Sequence, residues 1–78
     1  MAALRLFAAA RDAAGTARDE FAADTVGDVL ERASARYGQP FTSVLDRSQV
    51  WCNGEVADRD QAVGAADEVA VLPPLAGG

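Results

Sequence analysis

The last two residues, Gly77 and Gly78, follow an apolar run and a proline pair in Val69-Ala70-Val71-Leu72-Pro73-Pro74-Leu75-Ala76-Gly77-Gly78. Glycine has no side chain, so such an end can thread a narrow channel and present one reactive group, the α-carboxylate of Gly78. A terminal carboxyl with an ordinary pKa of about 3.3–3.7 is ionised at neutral pH. It can attack a phosphate, but it is a poor electrophile until a leaving group is placed on it. Pro73 and Pro74 hold φ and favour an extended path, so residues 73–78 are expected to project as a flexible tail with a reach of roughly 20 Å.

Other reactive chemistry is scarce. The chain has no histidine, no lysine and one cysteine, Cys52, so the usual general bases, metal clusters and nucleophilic dyads cannot be assembled. No basic residue stands near Cys52 in Val50-Trp51-Cys52-Asn53-Gly54, and its place in a strand makes it a small buried hydrophobe rather than an activated thiol. The carboxylates of Asp19-Glu20, Asp67-Glu68 and Asp58 with Asp60 lack metal-site spacing and read as solvated turn residues. A lone cysteine excludes an internal disulfide and fits a cytoplasmic protein. Neither a signal peptide nor a membrane span is expected.

Seventy-eight residues make one domain, 1–78, and leave no room for a second catalytic unit. Twelve acids against seven arginines give a net charge of −5, which argues against nucleic acid and for a partner with a basic face. Alanine is abundant, so the core must rest on Leu4, Leu6, Phe21, Val26, Val29, Leu30, Val50, Val69 and Val71.

The elements that hold the tail follow from local pattern. Leu4 and Leu6 alternate in a first strand. Residues 8–14 read as a helical turn or loop ending at Gly15, and 17–22 as a second strand pairing with the first. Thr25 caps a helix with Val26, Val29, Leu30 and Ala33 on one face, closed by Gly38 and Pro40. The signal over 41–47 is weak and predicts only a short helical turn or an irregular crossing. Residues 49–52 form a strand, Asn53-Gly54 a tight hairpin turn, and 55–57 its return. Residues 58–67 read as a loop with one helical turn near Ala62, and 68–72 as the last strand. The simplest packing is an α+β, ubiquitin-like β-grasp: a mixed sheet of four or five strands under one main helix, first and last strands side by side. With Leu4, Leu6, Val69 and Val71 facing the helix, period-two alternation turns Arg5, Phe7 and Leu72 to the opposite face, with Val56 joining them and Trp51 half exposed.

The stretch from Leu6 to Thr16, the Asn53-Gly54 turn, Asp67-Glu68-Val69 and the Pro73-Pro74-Leu75-Ala76-Gly77-Gly78 end together resemble the MoaD family, the small subunits of molybdopterin synthase, within the MoaD/ThiS ubiquitin-like sulfur carriers. The resemblance covers the whole chain. It implies that Gly78 is adenylated by a ubiquitin-activating-type, MoeB-like partner using ATP, and that a sulfur donor then displaces AMP to leave a thiocarboxylate. The large, MoaE-like subunit takes the tail and passes the sulfur to cyclic pyranopterin monophosphate, building the molybdopterin dithiolene. The domain binds no cofactor directly and carries rather than catalyses. By the same resemblance Phe7, Val56 and Leu72 dock the large subunit, Arg11 makes a polar contact at the rim, and Pro73 to Gly77 occupy the channel. A ThiS-like carrier, a carrier for cysteine synthesis and a protein modifier share the fold and the Gly-Gly end. The proline pair and the Phe7 region favour the synthase.

Overall fold

The computed structural model describes residues 1–74. The chain runs β1 (Ala2–Leu6), α1 (Ala8–Ala14), β2 (Arg18–Phe21), α2 (Val26–Tyr37), α3 (Phe41–Leu45), β3 (Gln49–Cys52), β4 (Glu55–Val56) and β5 (Glu68–Leu72). The five strands form one sheet in the order β2-β1-β5-β3-β4. β1 and β5 are parallel neighbours at its centre, with Leu4 opposite Val69 and Leu6 opposite Val71, and every other pairing is antiparallel. This is the β-grasp arrangement expected, with five strands.

Local chemistry explains most boundaries. Thr25 stands in an extended conformation and its hydroxyl accepts from the Asp28 amide at 3.1 Å, so α2 starts where the cap predicts. Gly38, at a left-handed φ of 65°, closes it. Asn53 and Gly54 have φ of 52° and 85°, the paired positive values that a two-residue hairpin needs to follow strand twist.

Several expectations are corrected. Residues 8–14 form a full helix, because Gly15 at φ 79° returns its amide to the Arg11 carbonyl and ends α1 cleanly. The weak stretch after Pro40 takes the helical of its two expected forms, as α3, and adds Phe41, Val44 and Leu45 to the core expected from the sequence. Phe41 is fully buried and meets Tyr37 edge-on at 5.1 Å, while Tyr37 meets Phe21 at 6.4 Å. Val50, expected inside, is only half buried. The second strand is shorter than 17–22.

No helical turn forms near Ala62. The segment lies across the start of α2, where the carbonyls of Gln61 and Arg59 accept the amides of Val26 at 2.9 Å and Gly27 at 2.8 Å. Those amides have no partner within the helix, so the loop satisfies them. The approach is tight at glycine: a Cβ on Gly27 would sit 3.1 Å from the Arg59 carbonyl oxygen and 3.2 Å from its Cβ, so the loop would have to give by a few tenths of an ångström.

The helices cover one face of the sheet. Leu4, Val26, Val29, Leu30, Phe41, Val69 and Val71 are the largest fully buried side chains and all lie in that layer. The other face carries no helix. Its β2 edge is partly closed by its own side chains: Asp19 accepts the Glu20 amide at 2.8 Å, and Thr16 bonds the Arg18 carbonyl at 2.9 Å. Such closure keeps an edge strand from pairing with another chain.

Candidate functional site

The register fixes what the open face presents. Arg5 stands opposite Arg18 on one side and Ala70 on the other, Ala70 stands opposite Trp51, and Trp51 opposite Val56. One row therefore reads Arg18, Arg5, Ala70, Trp51, Val56. Toward the end of β5, Leu72 pairs with Gln49. Phe7 extends β1 beside it, its amide bonded to the Val71 carbonyl at 3.3 Å.

Phe7 and Val56 are 37% and 71% exposed, which with Met1 makes them the exposed large hydrophobic residues among those described. Leu72 and Trp51 are half-buried. Phe7 is placed by a sharp turn, since the following Ala8 has φ 49°, a left-handed value that costs a non-glycine residue about 1–2 kcal/mol. The turn lets α1 begin at once, with the Phe7 carbonyl accepting the amides of Ala10 and Arg11. The Arg5 guanidinium lies 5.2 Å from the Phe7 ring centre, a cation–π approach that joins the charged and apolar parts of the face.

Pro73 leaves the sheet at Leu72, half-buried, and Pro74 is exposed. Together with Leu72, Arg47 and Gln49 they line an open cleft of about 470 Å³ at the root of the tail. Arg11 is exposed on α1 and its nearest charged partner is Asp12 at 3.8 Å. The structure thus brings Phe7, Val56, Leu72 and Pro73 to one side of the sheet. Leu75, Ala76, Gly77 and Gly78 lie outside the described residues.

Trp51 is the residue that sequence reasoning left without a role. Its indole nitrogen donates to the Gln49 side-chain oxygen at 3.1 Å, which orients the ring on the open face. The signal was present in the Asn53-Gly54 turn: a two-residue loop must pair Cys52 with Glu55 and Trp51 with Val56.

Cys52 is buried on the covered face. Burial, then the nearby charge of Asp67, pushes its thiol above the ordinary range, so it is held neutral and away from solvent. Asp67 is solvent-accessible beside a turn but is also held by hydrogen bonds. It accepts from the Asn53 amide group at 2.8 Å and the Gly64 backbone at 2.8 Å, and these bonds lower its pKa. Asn53 also accepts the Glu68 amide at 2.9 Å, tying the hairpin to the start of β5. Asp19, likewise read as solvated, is bound by Tyr37 and Arg36 on α2. Among the described residues no helix is long and apolar enough to cross a membrane.

The ThiS family is matched over residues 4–78. The crystal structure of SAMP1, small archaeal modifier protein 1, from Haloferax volcanii is similar at 32% identity and a TM-score of 0.82, over 99% of this chain and 98% of that one. A putative molybdopterin converting factor subunit 1 from Pyrococcus furiosus is similar at 24% identity and a TM-score of 0.82, over 95% of this chain and 97% of the other. The complex of subunits 1 and 2 of the molybdopterin-converting factor from Helicobacter pylori 26695 contains a chain similar at 18% identity and a TM-score of 0.70, over 99% and 97% of the two chains. The last two likenesses are of fold. With the family match spanning nearly the whole length, this chain belongs to the ThiS family, within the ubiquitin-like sulfur carriers and modifiers of β-grasp fold.

Proposed function

We propose that this protein carries sulfur as a thiocarboxylate on Gly78 and serves as the small subunit of a molybdopterin synthase. The observation that carries the reading is the open side of the sheet, where Phe7 and Val56 are exposed and Leu72 and Trp51 half-buried, with Phe7 and Leu72 at the root of a Pro-Pro-x-x-Gly-Gly tail. A partner gripping that face is positioned to receive the tail in its own active site. The division of labour follows from chemistry. Gly78 supplies an ionised carboxylate, an activating partner uses ATP to attach AMP as the leaving group, and a sulfur donor displaces it. The large subunit then takes the sulfur from the tail. The neutral, buried thiol of Cys52 favours the carboxyl route over a persulfide on the domain itself.

The test is intact-mass measurement after incubation with an activating enzyme, ATP and a sulfur donor, followed by assay of molybdopterin with the large subunit. A mass gain of sulfur for oxygen at the C-terminus and product formation are expected. Deleting Gly78, or adding a residue after it, should abolish both while leaving the fold intact. Normal transfer by either variant would reject the carrier reading.

A second reading, attachment to other proteins as a modifier, is favoured by the higher identity to the Haloferax SAMP1. Isopeptide adducts of Gly78 on target lysines, in cells where no molybdopterin defect follows loss of this chain, would favour it.

A further inference from the structure

A Gly-Gly tail is common to carriers serving different pathways, so something else on the domain must select the partner. The central row of the open face has the chemistry to do so. It carries Arg18 and Arg5 side by side, then Ala70, then Trp51 and Val56. Ala70 is the smallest side chain of the row, between a guanidinium and an indole, and along β5 it stands between Glu68 and Leu72 on the same face. The floor of the row is therefore lowest at Ala70.

The arginines are directly opposed across an antiparallel pair, an arrangement that raises the energy of a sheet. Glu68 answers both but meets neither closely, at 4.0 Å from Arg5 and 3.7 Å from Arg18. Glu20 lies on the same face opposite Ala3 and forms no ion pair with either arginine among the described residues. Both guanidiniums keep solvent access, with side chains 41% and 69% exposed. In a molecule of net charge −5, this row bears two cations and no anion of its own. A carboxylate arriving from outside would gain charge-assisted hydrogen bonds from these planar donors, in competition with the distant Glu68. The global charge draws a basic partner at long range, but the contact at this row asks for an acid.

We propose that the subunit receiving the tail seats an apolar side chain over Ala70, against Trp51, and places a carboxylate of its own on Arg5 and Arg18. The inference rests on the reading that such a subunit exists, and it adds the chemistry by which that subunit is recognised.

The experiment measures affinity of the full-length domain for the large synthase subunit, together with thermal unfolding of each variant. Thiocarboxylate formation and binding by the unaltered domain test the underlying reading first, and failure there rejects that reading before any variant is made. Ala70→Phe fills the floor of the row and should weaken binding by about tenfold or more, the size of a hot-spot loss. Arg18→Gln leaves Glu68 to Arg5 and relieves the repulsion, so unfolding should be unchanged or shifted upward. Binding should nonetheless weaken several-fold and depend less on salt, a split that a structural role would not produce. Arg32→Gln, on the far side of α2, should bind normally. Unaltered binding by both Ala70→Phe and Arg18→Gln overturns the proposal. Weakening by Ala70→Phe with unaltered binding and salt dependence in Arg18→Gln overturns the carboxylate contact. If Ala70→Phe unfolds, the smaller Ala70→Val takes its place, and unaltered binding by that variant overturns the seat over Ala70.

Discussion

The two faces of this sheet are built from the same strands and differ in almost everything else. On β5, Val69 and Val71 are completely buried, while Glu68, Ala70 and Leu72 between them are only partly so. On β1, Leu4 and Leu6 are buried, and Arg5 turns outward to a glutamate and toward an aromatic ring. The covered face is specified by volume, because close-packed interiors register every methylene. On the open face individual side chains cost little to change in stability, so chemistry rather than packing decides what stands there. That contrast separates substitutions that should unfold the domain from those that should only strip it of partners.

The sharpest test of the covered side is Phe41→Ala, which removes the ring that holds α3 against Tyr37. A loss of about 3–5 kcal/mol is expected, against a total of roughly 5–15 kcal/mol for an ordinary domain. Chemical denaturation would measure it. A loss under about 1 kcal/mol would mean that α3 contributes little to the core.

On the open side, Phe7→Asp or Leu72→Asp should weaken association with the large subunit by more than about 1 kcal/mol while costing the isolated domain less than a core truncation. Titration calorimetry and thermal melts on the same samples would separate the two effects. If both variants unfold, the faces are not independent and the comparison fails.

A third test addresses the seam between the faces. Asp19 on β2 accepts from the Tyr37 hydroxyl and from Arg36 at 2.9 Å, and Arg36 lies 4.3 Å from the Phe21 ring centre. The Tyr37 bond is the main cause holding the Asp19 carboxyl below its usual range. A depressed carboxylate contributes stability that is present above its unfolded value of about 3.9 and is lost as pH falls through the folded value. Burial first, then the Asp19 bond, raises the Tyr37 phenol, so the protonated phenol contributes stability present below about pH 10 and lost as pH rises. Stability measured against pH should accordingly fall at both ends, and Tyr37→Phe should flatten both limbs. An unchanged profile in that variant would show that the contact is not coupled to folding.

The smallest effect is expected at Cys52. Although it belongs to the covered face, Cys52→Ala deletes a single heavy atom and should cost about 1.5 kcal/mol or less. Thiocarboxylate formation and delivery to the large subunit should persist. A variant that folds and is thiocarboxylated yet fails to deliver sulfur would reveal a role for this thiol.

How far these regions could be read in advance depends on the range of the forces that shape them. The cap at Thr25, the turn at Asn53-Gly54 and the end of α2 at Gly38 are set within three or four residues, and they stand where the chain predicts. Residues 41–47 leave a helical turn and an irregular crossing both open, because Phe41, Val44 and Leu45 become helical through packing against α1 and α2, a long-range contribution absent from their own pattern. Residues 58–63 depart from their pattern. They look able to form a turn of helix, but the bare amides at the start of α2 claim their carbonyls instead.

The candidate site divides along the same line. Sequence alone supplied the Pro-Pro-x-x-Gly-Gly motif on which the proposed tail chemistry rests, since a run of residue types needs no fold to be read. It also determined, by strand alternation, that Phe7 and Leu72 face away from the helix. Only the tertiary structure decided that Trp51 stands between Ala70 and Val56, that Arg5 and Arg18 share one glutamate, and that Asp19 and Asp67 are held by side-chain hydrogen bonds. The reason is physical. Alternation assigns a side chain to a face from its immediate neighbours, but which residues meet on that face depends on strand order and register, and those are settled by burying a core drawn from the whole chain.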